Sequence, residues 1–320
     1  MGNDSCRHGQ GAGYEEMNWN SPSAEVSVVI LTLNEETNLP YAVKSVLGWF
    51  DDIHVVDSGS TDRTVELAAG FGLHVHFNPW KNWADQRNWS FENCGLKYDW
   101  VLFLDADEQL TPRSREEILE RTRNAPTGCL GFYLAFDFYF LNGLVCNGMH
   151  SHLRLVRRKD VRWRVEGARE YCSASGNSPL IQARLVHYDH RGMKFWITKQ
   201  TKNAELEARW LYNNRSSWSK GTQLGAGAGK GLKQTLREVL DLRLPAFLRP
   251  VFLFLYRFFF KMDVRDGYSG LAYAFLFGFW YPLLVYADYI EIQIKDKAGP
   301  DDYAFCGRRL RRKRTYEREN

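Results

Sequence analysis

Along the first 125 positions, short apolar runs alternate with amphipathic stretches, and that alternation predicts a parallel sheet. Residues 26–33 (VSVVILTL) have the unbroken hydrophobicity of a buried strand. Asn38-Leu39-Pro40 then opens a helix, with Asn38 as its cap and Pro40 in its first turn, and Gly48 closes it. DIHVVD gives a second strand ending at Asp57. Residues 62–69 give a second helix, capped by Thr61 or Asp62 and stopped by Gly70 or Gly72. LHVHF is a third strand, residues 83–93 a third helix, residues 100–104 a fourth strand, and residues 112–123 a further helix. Strands separated by helices of roughly ten residues imply βαβ units with right-handed crossovers. After residue 128 the texture changes. Segments 129–140, 151–157, 161–166 and 180–188 are strand-like with no helix between them, which predicts antiparallel strands or excursions closing a sheet edge.

A second apolar region lies at 243–295. RLPAFLRPVFLFLYRFFFK is interrupted by Arg249, Pro250, Arg257 and Lys261, as in a helix lying in a membrane interface with its cations snorkelling to headgroups. Residues 271–290 carry no charge before Asp288 and are long enough to span a bilayer. Gly278, Pro282 and the Tyr and Trp side chains favour a half-embedded helix instead; spanning and an oligomer interface stay open. The tail places six cations between Arg308 and Arg314, a run that attracts anionic lipid. Nucleic-acid binding is the rival reading of such a run, but no recognition module accompanies it. The expected organisation is a leader at 1–24, an α/β domain at 25–215, a linker at 216–235, and membrane-associated helices with the basic tail at 236–320.

Composition narrows this picture little. Of 320 residues, 44% are hydrophobic, and the net charge of +4 is only mildly basic. Cys6, Cys94, Cys129, Cys146, Cys172 and Cys306 are scattered without a Cys-x-x-Cys pair, which suits buried thiols in a reducing compartment. The polar, Gly-rich N-terminus has no signal-peptide core. A dinucleotide fold would follow its first strand with G-x-G-x-x-G, whereas this chain continues Thr32-Leu33-Asn34-Glu35-Glu36. The GAGAGKG segment fails as a phosphate loop, because Leu224 stands where its first Gly is required and Gly231 follows Lys230.

The candidate chemistry sits where LFLD ends. Asp105 and Asp107 would leave the carboxyl end of the fourth strand, where open α/β sheets bind ligands. Residues i and i+2 point the same way in an extended chain. The two carboxylates can then converge on one hard cation that takes diphosphate oxygens as further ligands. A solvated turn at a strand end is the competing explanation of Asp-x-Asp.

Taken together, VVILTLNEETNL, IHVVDSGSTDRT, KNWADQRN and LFLDADE resemble the family-two inverting glycosyltransferases with a GT-A fold, over roughly residues 25–125. Within that family the chain is similar to short bacterial enzymes of lipopolysaccharide-core assembly, of the heptose β-glucosyltransferase type. LRLVRRKDVRW, VHYDHRG with ITKQTKNAELEARW, and DVRDGYSGLAYAF carry that narrower likeness.

The resemblance implies a Rossmann-like mixed sheet and a set of roles. Asp57 accepts hydrogen bonds from the base, while Thr32, Asn34, Glu35 and Ser58 wall the nucleoside. Arg87 meets the diphosphate or base, unless it is simply a surface helix Arg. Asp105 lies near ribose and metal, and Asp107 on the metal. WRVEGAREYC holds the base that deprotonates the acceptor: Glu170 first, Glu166 in reserve. Arg169 stands where the family has His. His187 and His190 read as packed histidines. The implied activity is metal-dependent (Mg2+ or Mn2+), inverting transfer from a nucleotide diphosphate sugar to a lipid-linked or glycan acceptor, at the cytoplasmic face of the plasma membrane. A polyprenyl-phosphate glycosyltransferase and a catalytically silent nucleotide-sugar-binding protein are the alternatives. A homo-oligomer stays possible, and nucleic acid is not expected as a partner.

Overall fold

The computed structural model describes residues 25–146, 151–166, 169–172, 177–213, 248–260 and 263–297. The leader, the linker with its Gly-rich run, and the basic tail therefore lie outside the described residues, as do Cys6 and Cys306.

Four parallel strands form as their apolar runs require: β1 (Val26–Thr32), β2 (Ile53–Asp57), β3 (His74–Phe77) and β4 (Trp100–Asp105). All seven residues of β1 are buried, which fits its place between β2 and β4. Helices α1 (Leu39–Val46), α2 (Thr64–Gly70), α3 (Trp83–Asn93) and α4 (Pro112–Arg123) match the expected ones within two residues. Two are capped as short polar side chains usually cap helices: Asn82 accepts from the Asp85 amide at 2.8 Å, and Thr111 from Ser114 at 3.1 Å. Asn38 does not cap α1; its side chain is fully buried and bonded elsewhere.

Beyond β4 the sheet turns mixed. β8 (Ser151–Arg157) runs antiparallel to β4, and β6 (Gly131–Phe140) antiparallel to β8. β11 (Leu180–His187) lies parallel to β6, whereas antiparallel strands or excursions closing a sheet edge were expected. β8 already ends beside the start of β6, and the chain passes through the hairpin β9 (Trp163–Glu166) and β10 (Arg169–Cys172) before β11 begins at that same end. A two-residue strand, β7 (Gly143–Leu144), pairs with β6. The far edge is β5 (Glu108–Leu110), antiparallel to β11. Three residues are too few to show periodicity, so β5 was illegible in the sequence.

The position of β5 shapes the molecule. β5 stands four strands away from β4 in the sheet order, yet only Ala106 and Asp107 join the two. On a flat sheet the separation would be about 19 Å at about 4.8 Å per strand. That link reaches at most about 11 Å. The sheet must therefore curl, and the curl carries the end of β11 to the end of β4. One apolar layer, with Ile30, Leu102, Leu104 and Phe132, packs under α1 and α4, and Ile118 of α4 joins it. The opposite layer, with Leu31, Phe103, Val156 and Trp163, packs under α3.

By compactness the chain divides into one unit ending at Met193 and including Asp263–Leu271, and another containing Lys194–Met262 and the residues from Ala272 on. In the second unit, Ala204 and Ala208 of α5 (Gly192–Asn213) bury against Val285, and the Tyr281 hydroxyl donates to Glu207 at 2.6 Å. Helix Arg249–Leu255 continues as a π-turn, Tyr256–Phe260, and leaves Phe252, Leu253, Leu255 and Phe259 exposed. Helical structure covers Asp263–Asp296, 34 residues, long and apolar enough by length and composition to cross a membrane. A π-turn at Leu276–Trp280 ends two residues before Pro282, which lacks the N–H of a regular helical bond.

Candidate active site

Two groups of polar residues meet at the carboxyl ends of β1, β2 and β4. The first surrounds Asp57. Its Oδ1 accepts from the Thr32 hydroxyl at 2.9 Å and from the Ser60 hydroxyl at 2.5 Å. Its Oδ2 accepts from the amides of Gly59 and Ser60 at 2.9 and 2.8 Å. Four donors fill the acceptor capacity of a carboxylate, so Asp57 fastens the turn that follows it. Gly59 sits in that turn at φ +101, a conformation few side chains tolerate. Ser58 donates its amide to the Thr32 carbonyl at 3.0 Å. The loop after β1 is laced to the same turn: the Asn34 amide donates to Ser60 Oγ at 2.8 Å, and Asn34 Oδ1 accepts from the Thr61 amide at 2.8 Å. Glu35 donates its amide to Thr64 Oγ1 at 2.8 Å. Thr32, Asn34, Glu35, Asp57 and Ser58 are thus brought together.

The second group is ionic. Asp105 receives Arg154 at 2.5 Å and Arg87 at 3.5 Å. Arg154 also reaches Glu108 at 2.5 Å, and Glu108 accepts the Asp105 amide at 3.0 Å. Asp107 faces the imidazole of His187, with Nε2 3.5 Å from Oδ2. Both guanidinium groups are buried. Arg87 lies beside the rings of Phe103 and Trp163, at 5.5 and 5.8 Å, rather than at the helix surface. Burial would raise the Asp105 carboxyl, but Arg154 and then Arg87 outweigh it and hold it below its ordinary value. Burial dominates at Glu108, pushing it up to about 8 despite Arg154. Burial opposes charge on His187 as well, but Asp107 and then Glu108 and Asp105 lift it to about 9. Asp107 therefore rests against an imidazolium.

The two aspartates expected to share a cation have different partners here, although Asp107 still acts electrostatically on Asp105. Asp105 is committed to fixed guanidinium groups, whereas the partner of Asp107 is a group that becomes a metal ligand on losing its proton. Among the described residues no three His, Cys, Asp or Glu side chains are gathered about one point. Asp107 offers a hard carboxylate oxygen and His187, once deprotonated, a borderline imidazole nitrogen.

The sequence reading did not single out Arg154, Glu108, Asp189 or Arg191, and it gave His187 only a packing role. Arg154 does lie within LRLVRRKDVRW, and His187, Asp189 and Arg191 within VHYDHRG, so the signal was there without a partner to interpret it. Glu166 pairs with Arg169, and Glu170 with Val165, across the β9–β10 hairpin. The side chains of Glu166, Arg169 and Glu170 lie outside the described residues. Asn88 of α3 anchors the hairpin through both main-chain groups of Trp163, at 2.8 and 2.9 Å.

Comparison with known proteins places this geometry in context. The profile of Glycosyl transferase family 2 matches residues 27–168. A lipopolysaccharide core biosynthesis glycosyltransferase, LpsC of Rhizobium meliloti, is 30% identical over 197 residues, which cover 58% of this chain and 72% of LpsC. A glycosyltransferase of Rickettsia bellii is 38% identical over 94 residues; these are 29% of this chain and only 31% of that relative's length. Among solved structures, glucosyl-3-phosphoglycerate synthase from Mycobacterium tuberculosis is 18% identical with a TM-score of 0.38, over 58% of this chain and 78% of that one. So loose a structural likeness carries no functional argument.

Proposed function

Because the chain belongs to glycosyl transferase family 2, we propose that it is a metal-dependent inverting glycosyltransferase. It moves a sugar from a nucleotide diphosphate to a lipid-linked or glycan acceptor at the cytoplasmic membrane face, in lipopolysaccharide-core or related glycan assembly. The observation that carries this reading is the Asp107–His187 pair at the end of β4, beside the Asp105–Arg154–Glu108 group. These two residues would hold Mg2+ or Mn2+. A bound cation would neutralise charge developing on the departing diphosphate.

The remaining roles belong to the chain itself. Thr32, Asn34, Glu35 and Ser58 enclose the nucleoside, and the base edge takes over donor positions on Asp57 now filled by the Thr32 and Ser60 hydroxyls. Arg87 and Arg154 hold Asp105 ionised beside the ribose. Glu170, with Glu166 in reserve, accepts the acceptor hydroxyl's proton as its oxygen bonds to the anomeric carbon and the bond to the β-phosphate breaks. The exposed apolar side chains of 251–259 and the long apolar helix Asp263–Asp296 support seating on a membrane.

Transfer by the full chain in detergent micelles or membranes, measured with a panel of nucleotide diphosphate sugars and Mn2+, tests the proposal. Selective thermal stabilisation by one nucleoside diphosphate, followed by transfer that EDTA abolishes, is the expected result. Stabilisation without transfer or hydrolysis would favour the silent reading that Arg169 raises. Transfer only to polyprenyl phosphate would favour the other alternative.

A further inference from the structure

The loop after β1 and the segment after β11 are locked together by a buried polar clasp. Arg191 is its centre, with a side chain only 9% exposed. Its Nε and Nη2 grip both oxygens of Asp189, at 2.8 and 2.7 Å, and its Nη1 reaches Glu35 Oε1 at 2.8 Å. Asn38, fully buried, closes the other side. Its amide group donates to Glu35 at 2.9 Å and to Asp189 at 3.1 Å, and its carbonyl oxygen accepts the His190 amide at 2.8 Å. The His190 ring lies flat on Tyr41, centroids 3.8 Å apart, with Tyr188 edge-on at 4.3 Å.

The clasp ends next to the candidate metal donors. Tyr188 donates its amide to the carbonyl oxygen of Asp107 at 2.9 Å, and His187 faces the carboxylate of the same residue. A continuous set of contacts thus runs from Asn34 and Glu35, at the nucleoside side, through Arg191, Asn38 and Asp189 to Asp107. Stability alone is a poor reason for it. A buried ion pair is often no better than packed apolar side chains, whereas it does impose one geometry. The planar guanidinium fork fixes Glu35 and Asp189 relative to each other in a way an ammonium cannot.

We propose that Arg191 is a positioning residue through which occupation of the nucleoside side tightens the metal side of the site. The inference rests on the site reading given above. A free nucleoside carries no phosphate, so any effect it has on metal affinity must travel through the protein. Mn2+ binding to the full chain in detergent micelles is counted by the electron paramagnetic resonance of the free ion. The count is made with and without saturating uridine, cytidine, guanosine or adenosine.

One nucleoside should tighten Mn2+ about fivefold, at the low end of ordinary coupling, and Mn2+ should tighten that nucleoside by the same factor. Arg191→Gln, Arg191→Lys and Asp189→Asn should each bring the factor to about one while both ligands still bind. Thermal melting checks that each variant is folded, and if Arg191→Gln is not, the near-isosteric Asp189→Asn decides. A factor of one in the unmodified chain with both ligands bound overturns the clasp proposal and leaves the site reading standing. So does a fivefold factor that survives in the folded variants. Absence of any nucleoside or Mn2+ binding removes the site reading and the proposal together.

Discussion

Asp57 and the Asp105–Glu108 group sit at the same edge of one sheet, yet their charges are satisfied in opposite ways. Asp57 takes neutral donors: two amides and a hydroxyl from the next three residues, and a hydroxyl from β1. Asp105, Asp107 and Glu108 instead meet cationic side chains, Arg154, Arg87 and His187, brought from distant elements. Neutral donors can be exchanged for other neutral donors without any change of charge at the carboxylate. A carboxylate held by a cation can exchange that cation for another. Of these three cations only His187, lifted to about 9, can lose its charge by releasing a proton, which distinguishes the pair it makes with Asp107 from the guanidinium pairs of Asp105.

The largest effect is expected from breaking the ionic side at its pivot. Arg154→Leu leaves Asp105 and Glu108 without their shared cation and should cost about 3–5 kcal/mol of stability, as for other buried pairs. Denaturant titration reads this directly. Adding Glu108→Gln should recover part of the loss. A single variant as stable as the parent would mean that water already screens the group.

Asp107→Asn should act on rate instead. Removing the charge that faces His187 should lower transfer by about 10²–10³-fold, the usual scale for losing one electrostatic element of a site. Stability should change little, since the residue sits at the site and not in the apolar layers. Equal transfer rates would break the distinction between Asp107 and its neighbours. Asp57→Asn should weaken nucleotide binding and, unlike Asp107→Asn, also lower stability. An amide nitrogen facing amide and hydroxyl donors should cost about 1–3 kcal/mol, seen as a lower unfolding midpoint.

The contrast also marks what the sequence could reveal. The parallel half of the fold was legible because β1 and β2 are buried along their whole lengths, β4 up to Leu104, and α3 and α4 carry their own caps. Asp57 was legible for the same reason, its partners being close in the chain. The curl of the sheet was not, because it depends on a three-residue strand, β5, pairing with β11. With the curl hidden, nothing linked Arg154 to Asp105 across 49 positions, or Asn38 to Asp189 across 151. Asn38 has the residue type of a cap, and only its long-range partners show that it serves otherwise. Arg87 reads as a surface helix residue until Phe103 and Trp163 are seen beside it.

A third carboxylate sharpens the comparison, with the smallest expected effect. Asp52 precedes β2, at the opposite end from Asp57, and combines both kinds of partner. Ser27 Oγ and the Lys97 amide donate to one oxygen, at 2.5 and 2.8 Å, and His54 Nε2 to the other at 2.8 Å. His54 Nδ1 in turn meets His76 Nε2 at 3.0 Å. Burial depresses His54 more than Asp52 supports its charge, and His74 adds to the depression. Burial, then His54 and His74, depress His76 in the same direction. Each histidine then resists a proton that the unfolded chain accepts below its ordinary value of 6.5. Stability from these groups is complete above pH 6.5 and falls as the pH drops through the depressed values, by at most about 1.4 kcal/mol per pH unit for each proton. Asp52 is itself held below its ordinary 3.8, so its own contribution is lost only in stronger acid. Replacing His54 and His76 together by Gln, which keeps a donor toward Asp52, should flatten the fall in urea midpoint between pH 6.5 and 5. An unchanged fall would mean that the acid response originates elsewhere, and that the imidazole chain contributes packing alone.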